Sequence, residues 1–90
     1  MNTKNHDDLN NLYSQAVEFH KQGQHDEAIK LYSVVARYVP DIPEVHYNLG
    51  LALFESEQFG PATEAYARAA ELRPDDEDIL YNLGLAYKKN

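Results

Sequence analysis

The sequence has no cysteine and no tryptophan, and it contains only four glycines, four prolines and one methionine in 90 residues. Without cysteine the chain can form no disulfide, no thiol nucleophile and no cysteine-based metal site. It also lacks a glycine-rich phosphate loop and a serine or threonine in a nucleophile-type turn. We therefore expect a protein that is not an enzyme and that carries no cofactor.

Long apolar runs are missing as well. The N-terminal segment, residues 1–6, is polar, and no apolar stretch follows it. This pattern predicts neither a signal peptide nor a membrane span, and it favours a cytoplasmic protein that does not bind membranes.

Positive charge is scarce, since eight lysines and arginines face fifteen acidic residues and the formal net charge is −7. Such a surface repels phosphate backbones, so nucleic acid is not an expected partner. The same charge favours encounters with basic segments of a protein.

The four histidines are His6, His20, His25 and His46. None forms a pair at the spacing of metal ligands on one helix, and His20 and His25 flank a turn without sharing a helix face. We therefore expect no metal site.

One hexapeptide occurs twice. Residues 47–52 and 81–86 both read Tyr-Asn-Leu-Gly-Leu-Ala, so the second copy begins 34 positions after the first. An identical stretch at a fixed period indicates a repeated structural module.

The same period of 34 extends beyond the hexapeptide. It relates Pro40 to Pro74, and it relates Asp7 to Asp41 and Asp41 to Asp75. The period predicts a single domain over residues 7–90, with repeat one at 7–40, repeat two at 41–74 and a half repeat at 75–90. Residues 1–6 are expected to form a flexible leader.

Each repeat is predicted to contain two helices joined by a short turn. Gly23 and the prolines at 40 and 74 mark helix ends, and no strand pattern is present. Asp41 with Glu44, and Asp75 with Asp78, have the spacing of capping boxes. The expected fold class is therefore all-α, built from about five helices in antiparallel hairpins.

Helical periodicity divides the hexapeptide between two faces. His46, Leu49, Gly50 and Leu53 share the face expected to pack inside the hairpin. Tyr47, Asn48 and Leu51 lie on roughly the opposite side. His46 is expected to be a core histidine.

These landmarks resemble the tetratricopeptide repeat (TPR) family, which has the same period. Repeat two carries Leu49-Gly50, Ala62, Tyr66, Ala69 and Pro74 in the register of the family pattern, and it departs with His46 and Leu53 where the family has Trp and Tyr. The resemblance implies an α-solenoid with a right-handed superhelical twist.

The resemblance also implies a non-catalytic module that binds a protein, as a peptide or a helix, in a concave groove lined by the first helix of each repeat. The groove positions, shared by the outward faces of these helices, are Tyr13, Val17, Tyr47, Asn48, Leu51, Tyr81, Asn82 and Leu85, with Glu44, Glu55 and Asp78 at the margins. Two interpretations stay open: the tyrosines and asparagines contact a partner, or they pack and bond between adjacent first helices. A basic or apolar partner segment is expected.

One branch of the family grips the terminal carboxylate of a peptide with lysines, asparagines and an arginine. Only Asn48 matches those positions, and Asp78 stands where a cation or amide would be needed. A carboxylate clamp is therefore not expected.

The last helix offers an alternative function. It keeps an apolar face at Leu80, Leu83 and Tyr87, although no second helix follows in this sequence. The chain is either part of a longer repeat array or a structural unit whose last helix is covered by a partner or by a second copy. Weak homo-oligomerisation through this helix is expected.

Overall fold

The computed structural model describes the backbone of residues 2–90 and the side chains from Asp8 onward. Its five helices are α1 (Asn2–Lys21), α2 (His25–Tyr38), α3 (Pro43–Glu55), α4 (Phe59–Leu72) and α5 (Glu77–Lys89). Each helix packs against the next one along the chain, and the molecule measures 43 × 27 × 17 Å. Residues 2–90 contain no strand. The predicted all-α solenoid of about five helices is confirmed.

None of the described helices is both long and apolar enough to cross a lipid bilayer.

Helix α1 begins at Asn2, inside the segment 1–6 that the sequence predicted to be a flexible leader. Most of the predicted leader is therefore helical, while Met1 lies outside the described residues. The extension has a simple reason: residues 2–7 contain no proline or glycine, and each residue added to an existing helix forms one more backbone hydrogen bond. The repeat boundaries at 7–40, 41–74 and 75–90 stay a prediction.

Two of the predicted helix caps are wrong in detail. The cap of α3 is Ile42 in extended conformation, without a side-chain hydrogen bond, so Asp41 and Glu44 form no capping box. The cap of α5 is Asp76, one residue after Asp75, and its carboxylate accepts from the backbone N–H groups of Asp78 and Ile79. In α3, Pro43 takes the first helical position, so the cap falls on Ile42. In α5, four consecutive acidic residues, 75–78, offer several possible caps, and spacing alone does not choose between them.

The turns of the two hairpins have the same backbone conformation at equivalent positions. Gly23 ends the first turn with φ of 77°, and Glu57, which holds the equivalent position of repeat two, has φ of 63°. Glycine adopts this left-handed conformation without penalty, whereas glutamate does so with a steric cost. Pro43 and Pro61 lie in the first turns of α3 and α4, where their missing N–H groups leave no bond unmade.

The core consists of two similar clusters, each built around one fully buried tyrosine. Tyr32 packs with Ala16, Ala28 and Ala52. The second cluster surrounds Tyr66 with Leu53, Ala62, Ala65 and Ala86. Because Ala52 and Ala86 belong to the first helix of the following repeat, each tyrosine joins its own hairpin to the next one.

Helix α3 buries the predicted face and a second one. His46, Gly50 and Leu53 are buried, and Leu49 is partly buried against the core. Val45 and Ala52 are also buried, since α3 is contacted by both α2 and α4. His46 is a core histidine, as predicted, and its Nε2 donates a hydrogen bond to the Pro40 carbonyl at 2.8 Å.

Candidate functional site

The first helices are connected by a ladder of side-chain hydrogen bonds. The Asn48 amide donates to the Tyr13 hydroxyl at 2.6 Å, joining α3 to α1. The Asn82 amide donates to the Tyr47 hydroxyl at 2.8 Å, joining α5 to α3. Both bonds span 35 residues, and the dipeptide Tyr47-Asn48 takes part in both, with its tyrosine accepting from the next repeat and its asparagine donating to the previous one.

The tyrosines of the ladder also pack against the core. The Tyr13 ring lies 5.8 Å from that of Tyr32, and the Tyr47 ring lies 5.8 Å from that of Tyr66. Burial raises the pKa of Tyr13 and of Tyr47, although the hydrogen bonds from the asparagines oppose the rise. Of the two interpretations left open by the sequence, the second therefore applies here: these tyrosines and asparagines form hydrogen bonds between neighbouring first helices. The residues concerned are Tyr13, Tyr47, Asn48 and Asn82.

Tyr81 differs from its two equivalents. Its side chain is 69% exposed, whereas Tyr13 and Tyr47 are half-buried. Among the three tyrosines at the predicted groove positions, Tyr81 therefore retains the largest surface for contact with another molecule.

The apolar residues of the predicted groove form a second row. Val17, Leu51 and Leu85 hold equivalent positions of successive repeats and are all half-buried. Val17 borders the cluster around Tyr32, and Leu51 borders the cluster around Tyr66. Next to this row is an open depression of about 250 Å³, which is lined by Val17, His20, Lys21, Tyr32 and Asn48.

Two of the acidic residues at the predicted margins have partners within the chain, and the partner of Glu44 is a cation. The Arg73 guanidinium donates to the Glu44 carboxylate at 2.8 Å. The pKa of Glu44 is lowered, first by a hydrogen bond from its own backbone N–H and second by Arg73. Glu55 accepts hydrogen bonds from two histidines. The attraction of basic partners is therefore weaker than a simple count of these acids suggests.

The apolar face of α5 is exposed where the matching face of α3 is covered. Leu80 is 46% exposed and Tyr87 is 61% exposed, but their equivalents in repeat two, His46 and Leu53, are only 7% and 6% exposed. Leu83 is half-buried against the cluster around Tyr66. The difference arises because α3 packs against the helix that follows it, α4, whereas no described helix follows α5.

A histidine and glutamate cluster lies at the hairpin end of repeat one. The Glu55 carboxylate oxygen is 2.7 Å from His20 Nε2 and 3.1 Å from His25 Nε2. The sequence predicted no metal site from the spacing of the histidines within the chain, but in the structure His20, His25 and Glu55 each bring one ligand atom within 4.8 Å of the others. Sequence spacing did not connect Glu55 with the two histidines because Glu55 belongs to repeat two and lies 30 or more positions further along the chain.

The fold and the ladder together define a class of protein, the α-helical repeat solenoids. A sequence model described as "TPR repeat" matches residues 16–57 and 50–90, which is most of the chain. The chain therefore belongs to the TPR repeat family, in which interaction repeats without catalytic activity are the general rule.

Solved structures agree on the fold. A chain from a structure titled "CopN-Scc3 complex" superimposes with a TM-score of 0.87 at 24% sequence identity. The match covers 91% of this chain and 48% of that one, so this chain spans about half the length of its structural neighbour. No curated protein matches the chain by sequence.

Proposed function

We propose that this chain is a non-catalytic protein-interaction module that holds a peptide or a helix along the face formed by α1, α3 and α5. The observation that carries the proposal is the regular row of half-buried apolar residues at positions 17, 51 and 85, which runs beside the ladder and ends near the exposed Tyr81. Regularly spaced apolar anchors suit an extended or helical segment of a partner.

The hydrogen-bond ladder limits which residues of this face can contact a partner. Because Asn48 and Asn82 already donate to tyrosines, their amides are occupied within the chain. Recognition therefore rests on the apolar row and on Tyr81, with the asparagines and Tyr13 and Tyr47 holding the first helices in register. Tyrosine is enriched at such surfaces because a rigid ring gives a large contact area at low entropic cost.

The family and the neighbouring structure support this proposal in general terms. The matched neighbour was solved in a complex, as its title says, and its likeness to this chain extends to the fold. The bound segment in our proposal is apolar with basic flanks, because the net charge is −7 and the Asp78 side chain is exposed beside the groove.

The test is a chemical-shift titration with two synthetic amphipathic peptides that share one apolar stripe and carry either lysine or glutamate flanks. We expect the lysine peptide to perturb amides of α1, α3 and α5, with weaker binding at high salt. Perturbations confined to α2 and α4 would show that the peptide binds the opposite face and that our assignment of the groove is wrong.

Two exposed tyrosines provide a matched pair for the same titration. Tyr81 on α5 and Tyr38 at the end of α2 are 69% and 67% exposed. We expect Tyr81→Ala to weaken peptide binding about tenfold, which is a common loss when an aromatic side chain that the partner covers is removed. Tyr38→Ala should leave the affinity unchanged.

A second candidate function is self-association through α5, favoured by the exposure of Leu80 and Tyr87 noted above. Two copies would cover these side chains with each other's α5, with Leu83 at the edge of the contact. Sedimentation should then show a concentration-dependent dimer that Leu80→Glu abolishes and Tyr38→Ala preserves. A strict monomer at high concentration would eliminate this candidate while leaving the groove untouched.

A further inference from the structure

The His20, His25 and Glu55 side chains converge on one point from three helices. His20 lies in the last turn of α1, His25 is the first residue of α2, and Glu55 is the last residue of α3. The cluster therefore connects the turn of the first hairpin to the end of the next helix. Two imidazoles and one carboxylate form a ligand set typical of zinc and similar divalent ions.

The distances suit a site that a small movement would open. Tetrahedral zinc with bonds of about 2.0–2.1 Å holds its ligand atoms about 3.3 Å apart. The two histidine nitrogens now lie 2.7 and 3.1 Å from the Glu55 oxygen. Glu55 is about half-exposed and sits at a helix end, so its carboxylate can move outward and leave an open position for water.

The second nitrogen of His20 already has a partner. Its Nδ1 lies 3.2 Å from the hydroxyl of Tyr32, whose side chain is fully buried. An outer partner of this kind fixes the ring orientation and aims the other nitrogen at a metal ion. In the ion-free protein Nε2 donates to Glu55, and in the metal-bound form Nε2 would coordinate while Nδ1–H donates to Tyr32.

Repeat two shows what this position looks like without ligand atoms. The residues 34 positions after His20, His25 and Glu55 are Phe54, Phe59 and Lys89. The Phe54 and Phe59 rings meet edge to face with centroids 5.1 Å apart, and the two histidine rings meet in the same way at 5.9 Å. Phenylalanine rings therefore satisfy the packing at this point of the fold, and packing does not explain why repeat one has histidines there.

We propose that His20, His25 and Glu55 bind one divalent transition-metal ion, zinc or an ion of similar preference. The bound ion would tie α1, α2 and α3 together and fix the angle between the first hairpin and the following repeat. Calcium and magnesium do not suit the site, because both prefer a shell of oxygen ligands.

The test is a calorimetric titration of the tag-free full chain with zinc chloride. We expect saturable binding of one ion per chain, a higher melting temperature with zinc, and perturbed ring resonances of His20 and His25 but not of the buried His46. Magnesium chloride should produce none of these changes.

The repeat supplies the control variants. His25→Phe copies the side chain of repeat two, so it preserves the ring contact and removes one ligand, and Glu55→Gln removes the carboxylate charge. Each should weaken zinc binding at least about tenfold, since loss of a mere outer-shell partner already costs about 10–100-fold. Glu57→Gln, an acidic residue two positions further on, should not affect the affinity.

The proposal is overturned if the unaltered chain shows no saturable zinc binding. It is also overturned if one zinc binds per two chains, or if both His25→Phe and Glu55→Gln bind zinc as tightly as the unaltered chain. Circular dichroism of both variants without metal checks that a lost signal reflects the ligands and not a lost fold.

Discussion

The ring of Tyr66 occupies the space where a side chain at Gly50 would begin. A Cβ atom built on Gly50 would lie 2.7 Å from two ring carbons of Tyr66. Such a contact is too short for carbon atoms, so the close approach of α3 and α4 depends on glycine at this position. Gly84 holds the same place in the second hexapeptide, yet a Cβ atom built there would meet nothing within 4 Å, because no helix covers α5 at this point.

The two glycines should therefore respond to alanine with opposite signs. We expect Gly50→Ala to reduce the free energy of unfolding by about 1–3 kcal/mol, because the buried ring of Tyr66 has little room to shift. Gly84→Ala should increase it by about 0.5–1 kcal/mol, the usual gain for alanine in a helix. Urea unfolding of both variants measures the difference, and two changes of the same sign would contradict the packing described above.

The turns provide a second matched pair. Glu57 holds the left-handed conformation that Gly23 holds in repeat one. Replacing Glu57 by glycine should stabilise the protein by about 1 kcal/mol, since the steric penalty of a side chain at positive φ disappears. Replacing Gly23 by alanine should destabilise it by a similar amount, although the space around Gly23 is open. Thermal unfolding of both variants checks the pair, and a stabilised Gly23→Ala would show that φ is not the controlling factor.

The hydrogen bond between Tyr47 and Asn82 should make the effects of these two residues on the free energy of unfolding depend on each other. Tyr47→Phe and Asn82→Ala each remove one side of the 2.8 Å hydrogen bond. In a double-mutant cycle we expect a coupling energy of about 0.5–1.5 kcal/mol, the net worth of a neutral hydrogen bond. Tyr81→Phe is the control, and its unfolding free energy should stay within about 0.5 kcal/mol of the unaltered chain because Tyr81 is an exposed surface residue. A coupling near zero would mean that the bond contributes nothing to the stacking of repeats.

Buried tyrosines should make the fold sensitive to alkali. Burial is the main cause that raises the pKa of Tyr32 from 10.0 to about 12, with smaller contributions from Tyr13 and Glu55. Burial also raises the pKa of Tyr66 well above its ordinary value. Below pH 10 both the folded and the unfolded chain keep these protons, whereas above it the unfolded chain loses them first. Stability should therefore fall as the pH rises from 10 towards 12, by up to about 1.4 kcal/mol per pH unit for each tyrosine.

The measurement is urea unfolding at a series of pH values on either side of 10. Tyr32→Phe is the control, because it removes one titrating hydroxyl while keeping the ring in the core. Its stability should decline less steeply with pH than that of the unaltered chain. An equal decline in both proteins would show that lysine deprotonation or another group dominates.

Much of this architecture follows from local sequence signals. Helix periodicity, Gly23 and the prolines defined the helices, because backbone conformation and helix ends depend on neighbouring residues. The family register also picked out Tyr66 and Gly50, although the contact between them appears only in the structure. The start of α1 and the cap of α5 were less accurate, since several adjacent polar residues can begin a helix equally well. The cap of α3 was wrong because Pro43 takes the first helical position and places the cap at Ile42.

The sequence by itself determined that the chain is a repeated helical hairpin with one apolar face per helix, because those properties are set by residues three to five positions apart. Tertiary structure decided what each copy of the pattern does. Asn48 reaches Tyr13, and Glu55 reaches His20, only because stacking brings together side chains that are 35 residues apart in the chain. For the same reason two identical hexapeptides differ: α4 covers the first one, and Leu80 and Tyr87 beside the second one remain exposed. A repeated sequence fixes a repeated backbone, but the environment of each side chain depends on which helices lie next to it.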